Sequence, residues 1–270
     1  MTERNKPTGA SESDEPTTSR RRLLKGIGAT AAAGTGLTAL SGSAAAQSVE
    51  LIQVDESFFG GFDANADLPV VEELFVFVHG WFGDTTVESQ ATDVLNSVEA
   101  GGYVPDAAVA IEWPASNFFY SSAESDTEGV GAEVADLVET FKDSGGGQVR
   151  LTGHSLGGRV VYWAANKIQG ETIDTIGALG TAADGSQVCP GGEWYDGVRD
   201  NAGPVRNYYS LDDDIVGGAY GGYGDTPLGT EGAPCDGAGN YTDADVTATV
   251  SGHLDYLGDA QVGADFASVI

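Results

Sequence analysis

The chain has 270 residues, 41% of them hydrophobic, enough for one sizeable core or two smaller ones. Acidic residues outnumber basic ones by 41 to 12, a formal net charge of -29, which excludes nucleic acid and anionic membrane surfaces as natural partners. Four Trp, ten Tyr and ten Phe exclude acidic disorder for most of the length.

The charge is unevenly spread. Residues 1–46 carry six basic and four acidic residues; residues 47–270 carry six and 37, a net of -31. Within the first segment, Ser19-Arg20-Arg21-Arg22-Leu23-Leu24-Lys25 precedes a mildly apolar stretch at 26–40, and Ala44-Ala45-Ala46 follows. That order resembles a twin-arginine export signal, and the resemblance implies use of the twin-arginine export machinery, cleavage before Gln47 and secretion. The apolar stretch is too short and too rich in Gly and Ala for a stable membrane span. The expected organisation is a signal peptide at 1–46 and a single catalytic domain at 47–270. The acid-rich, lysine-poor composition resembles that of haloarchaeal proteins. It predicts a surface adapted to molar salt, where the Debye length falls to about 3 Å.

After this segment, β-rich apolar runs alternate with helical periodicity. Leu74-Phe75-Val76-Phe77-Val78 predicts a buried strand ending at His79-Gly80. Residues 85–100 read as a helix, and Ala107 to Trp113 as a strand stopped by Pro114. Val130, Val134, Leu137, Val138 and Phe141 recur at helical spacing up to Gly145-Gly146-Gly147. Gln148 to Thr152 reads as a strand, and Val160, Val161, Ala164, Ala165 and Ile168 mark one helix face. Thr175 to Leu179 and Val205 to Tyr209 give two more strands. Residues 182–204 and 217–240 read as Gly-rich loops, too short for a large cap domain, and Gly221-Gly222-Tyr223-Gly224-Asp225 reads as loop rather than a calcium-binding repeat. Alternation of this kind predicts an α/β fold, a mostly parallel central sheet with helices on both faces.

Leu151-Thr152-Gly153-His154-Ser155-Leu156-Gly157-Gly158 matches G-x-S-x-G between a predicted strand and a predicted helix. A serine on so sharp a turn presents its hydroxyl beside a helix N-terminus, whose amides and partial positive charge favour a developing anion. The motif in this setting resembles the α/β-hydrolase family, lipase and esterase group. The resemblance implies an α/β-hydrolase fold, Ser155 as nucleophile and cleavage of an ester or lipid substrate through an acyl-enzyme. Phe77-Val78-His79-Gly80-Trp81-Phe82-Gly83 resembles the H-G-x-x-G loop of lipases. That likeness assigns the oxyanion-hole donors to the backbone N–H groups of Trp81 and Leu156. Trp81, Phe82 and Phe118-Phe119-Tyr120 are candidates for an acyl pocket or for core.

The base follows from counting. Of three histidines, His79 lies in the oxyanion loop and His154 precedes the nucleophile, which leaves His253. The acid lies in Asp212-Asp213-Asp214-Ile215-Val216, where the family's pattern selects Asp213 and leaves Asp212 and Asp214 as alternatives. Cys189 and Cys235 lie in Gly-rich segments of a chain read as exported. A disulfide between them is expected, with two separate buried thiols as the alternative. The chemistry calls for no cofactor and no metal. Thioester or amide hydrolysis, acyl transfer, or a non-catalytic surface protein on the same fold are the competing readings.

Overall fold

The computed structural model describes residues 48–116, 119–222 and 225–270. The export signal read at 1–46, its cleavage before Gln47, Phe118, and Tyr223-Gly224 of the glycine-rich loop lie outside the described residues. By contact the chain divides into Met1–Ser43 and Ala44–Ile270, and everything below belongs to the second part.

Eight strands form one sheet in the order β2-β1-β4-β3-β5-β6-β7-β8. They are β1 (Val49–Glu56), β2 (Phe62–Ala64), β3 (Glu73–Val78), β4 (Ala107–Glu112), β5 (Gln148–His154), β6 (Thr175–Leu179), β7 (Val205–Tyr209) and β8 (Tyr241–Asp245). Every pairing is parallel except β1 with β2, which form an antiparallel hairpin at one edge. The interior strands read as continuous apolar runs because both faces are covered. On one face α2 (Tyr120–Asp143), α3 (Leu156–Lys167) and α4 (Tyr195–Asn201) close a core with Leu74, Val76, Leu151 and Trp194. On the other, α1 (Val87–Ala100) and α7 (Ala260–Ser268) pack over Phe75, Phe77, Leu179 and Tyr208. This is the α/β-hydrolase architecture. Among the described residues no large cap domain is inserted into it, and no helix is long and apolar enough to cross a membrane.

The stretches read as plain loops contain more structure than their composition suggests. A 3-10 turn at Gly185–Val188, α4, the end of α5 (Asp214–Tyr220), and α6 (Leu228–Glu231) fall within 182–204 and 217–240. Tertiary contacts, not helix propensity, hold them. Trp194, buried at the start of α4, stacks on Tyr162 with ring centroids 5.1 Å apart. Asn240 donates to the carbonyls of Val198, Ala202 and Gly203 at 2.7–3.0 Å, closing the end of α4. Cys189 and Cys235 are joined in a disulfide that ties the two stretches together.

The chain runs from β3 outward to β4 and then back across to β5. The strand order therefore reverses around β3, and the crevice at the carboxyl ends of such strands is where open α/β sheets bind ligands.

Candidate active site

Ser155 occupies the one-residue turn between β5 and α3, with φ of 58° and ψ of -118°. A side chain in that region costs on the order of 1–3 kcal/mol and persists only where the surroundings impose it. Here they do. The Ser155 N–H donates to the carbonyl of Leu179 at 2.9 Å, and its own carbonyl accepts from Gly158 and Ala182. The glycines of the motif are required by close approach. A Cβ at Gly157 would lie 2.2 Å from the carbonyl oxygen of Val78, and one at Gly153 equally close to that of Gly157. Ser155 is buried and lines a cavity.

The loop after β3 closes on the serine from the other side. A Cβ on Gly80 would meet Ser155 Cβ at 2.6 Å and the carbonyl of His154 at 2.8 Å, so only glycine brings the backbone this near. The Gly83 N–H donates to the Gly80 carbonyl at 3.1 Å and folds 80–83 into a tight turn, with Phe82 at φ of 56°. His79 anchors this turn. Its Nδ1 donates to the Gly80 carbonyl at 2.7 Å, its Nε2 accepts from the Trp113 N–H at 3.1 Å, and Trp113 Nε1 donates to the His79 carbonyl at 2.8 Å. Burial holds the His79 pKa below its ordinary value, consistent with a neutral ring that shapes the loop. Leu156 is the first residue of α3, where backbone N–H groups have no partner within the helix.

His253 lies beyond β8, and its Nδ1 is 2.8 Å from Asp213 Oδ2. A carboxylate acceptor there requires the proton on Nδ1, which leaves Nε2 as the basic nitrogen. Asp213 is fully buried and serves also as the N-cap of α5: its Oδ1 accepts from the N–H groups of Ile215 at 3.2 Å and Val216 at 3.1 Å. Three donors thus stabilise one buried carboxylate. Of the three carboxylates, Asp213 contacts His253 Nδ1, whereas Asp212 and Asp214 are exposed.

His154 has a role that reasoning from sequence missed. Its Nε2 donates to the backbone carbonyl of His253 at 2.7 Å, and the two rings lie 4.6 Å apart. Burial, then the neighbouring His253, push its pKa down to about 3, so it stays neutral and fixes the loop that carries the other ring. No local pattern signals this contact, since the partners are 99 positions apart.

Ser155 and His253 border one cavity of about 520 Å³, whose wall is largely apolar: Trp81, Ile215, Val216, Ala219 and Leu254. Tyr120 completes it. Of the aromatic residues considered for an acyl pocket, Trp81 and Tyr120 line it, whereas Phe82 and Phe119 are solvent-exposed. Behind the wall runs a polar chain. The hydroxyls of Tyr120 and Tyr220 lie 2.7 Å apart, Tyr220 donates to Glu124 at 2.6 Å, and Glu124 pairs with Arg159 of α3 at 3.4 Å. The end of α5 is thereby tied to the two helices beneath it.

Among solved structures, the chain is similar to the esterase domain of a Rhodothermus marinus protein, with 17% identity over 80% of this chain and 93% of that one and a TM-score of 0.41. An acetylxylan esterase matches at 16% identity, 74% and 97% coverage and a TM-score of 0.45. A Pyrobaculum calidifontis esterase matches at 15% identity, 81% and 85% coverage and a TM-score of 0.43. The model of the Lipase family matches residues 35–190, more than half of the sequence, across the Ser155 turn, the Gly80 loop and the strands between them. With a G-x-S-x-G serine strained between strand and helix, the chain belongs to the Lipase family of ester hydrolases.

Proposed function

We infer that the protein is a secreted serine hydrolase that cleaves carboxylic esters through an acyl-enzyme, with Ser155, Asp213 and His253 as its triad. One observation carries this reading. A strained serine and a histidine oriented by a buried carboxylate border the same apolar cavity, with the Gly80 backbone pressed against the serine.

In the reaction, Ser155 Oγ attacks the ester carbonyl carbon while His253 Nε2 takes its proton. The carbonyl oxygen becomes an oxyanion, held by the backbone N–H groups of Leu156 and Trp81 at about 2.7–4 kcal/mol for each donor. The imidazolium, stabilised by Asp213, passes its proton to the leaving alcohol as the C–O bond breaks. Water then adds to the acyl-enzyme by the same proton route and releases the acid and free Ser155. An apolar cavity of this size lies within the range of ligand pockets and suits an acyl chain.

The twin-arginine pattern at Ser19–Lys25 and the small residues at Ala44–Ala46 support export, as does a disulfide, which persists in oxidising compartments. An acidic surface suited to high salt fits the same reading.

A fluorophosphonate probe labels the wild type at Ser155, and Ser155→Ala abolishes both labelling and hydrolysis of p-nitrophenyl esters in high salt while the thermal midpoint holds. Labelling that persists in the variant refutes the assignment.

A further inference from the structure

Tyr120 lines the cavity that Ser155 and His253 border, and its hydroxyl begins the hydrogen-bonded chain through Tyr220 to Glu124. Tyr120 and Glu124 stand four residues apart on α2, one turn, so they share a face of the helix and the Tyr220 hydroxyl contacts both. The far end of the chain is fixed. Glu124 pairs with Arg159, which is almost fully buried. The Arg159 guanidinium lies over the Trp194 ring, 5.4 Å from its centroid, and donates to the Ala182 carbonyl at 3.4 Å.

The charge at that end sets the direction of every proton in the chain. Glu124 is ion-paired, and a carboxylate only accepts, so the Tyr220 proton is committed to it at 2.6 Å. A phenol has one proton. The Tyr220 oxygen is therefore the acceptor in the 2.7 Å contact, and Tyr120 is the donor. Burial pushes the Tyr120 pKa up to about 12, so that proton stays in place at neutral pH. With its proton spent, the Tyr120 oxygen keeps only lone pairs, and among the described residues no group donates to it. Successive bonds toward a carboxylate polarise one another, which makes this outermost oxygen a stronger acceptor. Around it the cavity wall is aliphatic: Ile215, Val216, Ala219 and Leu254 offer no side-chain hydrogen bond.

We propose that the Tyr120 oxygen selects esters whose acyl chain carries a hydroxyl group. A hydroxyl supplies the proton that this oxygen lacks. A carbonyl oxygen in the same place sets acceptor against acceptor, and a methylene shuts the phenol oxygen off from water and leaves it unpaired. An ammonium group donates too, but gives up its hydration in an apolar wall at greater cost. Recognition by a neutral hydrogen bond does not draw on long-range charge, and the buried pair that orients the chain is little screened, so molar salt leaves the preference in place. The proposal rests on the ester-hydrolase reading for the reaction; recognition of the hydroxyl needs only the cavity.

The test separates recognition from turnover. Methyl hexanoate and its monohydroxy and monooxo analogues, substituted along the chain, are titrated into Ser155→Ala protein in high salt and followed by NMR. At the position that reaches Tyr120, the hydroxy ligand binds about fivefold or more tighter than methyl hexanoate, and the oxo ligand binds more weakly than either. Adding Tyr120→Phe brings the hydroxy ligand and methyl hexanoate to equal affinity. Adding Tyr220→Phe instead frees the Tyr120 proton, and the oxo ligand rises above methyl hexanoate. A hydroxy preference at no position, a preference that survives Tyr120→Phe, or an oxo ligand unimproved by Tyr220→Phe overturns the proposal. So does a loss in Tyr120→Phe shared equally by all three ligands, which is the mark of a structural role. The ranking of the three ligands on the Ser155→Ala parent needs no further variant, so it decides the matter where circular dichroism shows a phenylalanine variant misfolded. In the active protein, hydrolysis of methyl hexanoate that Ser155→Ala abolishes, with no hydroxy preference, refutes the proposal and keeps the triad. A binding preference without hydrolysis of any ester refutes the catalytic reading and leaves the proposal standing.

Discussion

His154, beside Ser155, acts on the site through the backbone of a distant loop. Its ring is buried and neutral, and its one hydrogen bond holds the backbone of His253. The folded pKa of about 3 lies below the ordinary imidazole value of about 6.5. The unfolded chain therefore binds a proton that the native state refuses, and stability rises with pH across that window. The contribution is complete above about pH 6.5 and is lost progressively toward pH 3, on the order of 4 kcal/mol in all. His154→Gln keeps a donor for the His253 carbonyl but does not titrate. The difference in unfolding free energy between wild type and variant, from denaturant melts, shrinks by that amount between pH 7 and pH 3; a constant difference refutes the account. At this scale the sequence singles out Ser155 by its motif and His253 by elimination, and the fold brings both to one cavity. Among Asp212, Asp213 and Asp214 the chain itself offers only the resemblance to the family's pattern, which favours Asp213. What sets Asp213 apart physically is a contact 40 positions away, to His253 Nδ1. His79 and His154 likewise owe their roles to distant partners, Trp113 and the His253 carbonyl.

Helix α5 forms a wall of the cavity and has a sequence that disfavours helix, with Gly217 and Gly218 in its middle. It is held at its ends, by Asp213 as N-cap and by Tyr220 through Tyr120 and Glu124. The carboxylate that contacts His253 is thus also the cap of the cavity wall, so unwinding of α5 costs Asp213 two of its donors. A Cβ at Gly218 meets nothing within 4 Å. Gly218→Ala therefore raises stability by about 0.4–1 kcal/mol, a rise of roughly 1–4 °C in thermal midpoint for a domain of this size. Hydrogen exchange of the α5 amides slows in parallel; an unchanged or lower midpoint refutes the expectation. The glycine pair is also why this helix is illegible in the sequence. The interior strands are legible because burial on both faces makes them unbroken apolar runs. β1 is half-exposed and its hydrophobic pattern alternates only weakly, so it is missed, as is the short C-terminal helix α7.

Across the whole molecule, all six Lys and Arg of the described residues lie in ion pairs: Lys142 with Asp174, Arg150 with Glu73, Arg159 with Glu124, Lys167 with Glu128, Arg199 with Asp196 and Asp200, and Arg206 with Asp265. The 37 acidic residues beyond position 46 greatly outnumber these cations, so a large surplus of negative charge is left on the surface. At about 0.01 M ionic strength, with a Debye length of about 30 Å, the surplus repels itself across the domain; at molar salt only near neighbours interact. The thermal midpoint and esterase activity are expected to rise together from 0.1 M to several molar KCl. A flat or falling curve assigns the acidic surface to another purpose. The disulfide between Cys189 and Cys235 has a consequence for the integrity of the site. The 46-residue separation spans β7, Asp213 and α5, so Asp213 lies inside a covalent ring while Ser155 and His253 lie outside it on either side. A single peptide cut after Tyr220 severs the backbone between Asp213 and His253 yet releases neither fragment. The nicked protein remains one covalent molecule until reductant opens the ring, and only then can the half that bears His253 leave the half that bears Ser155 and Asp213.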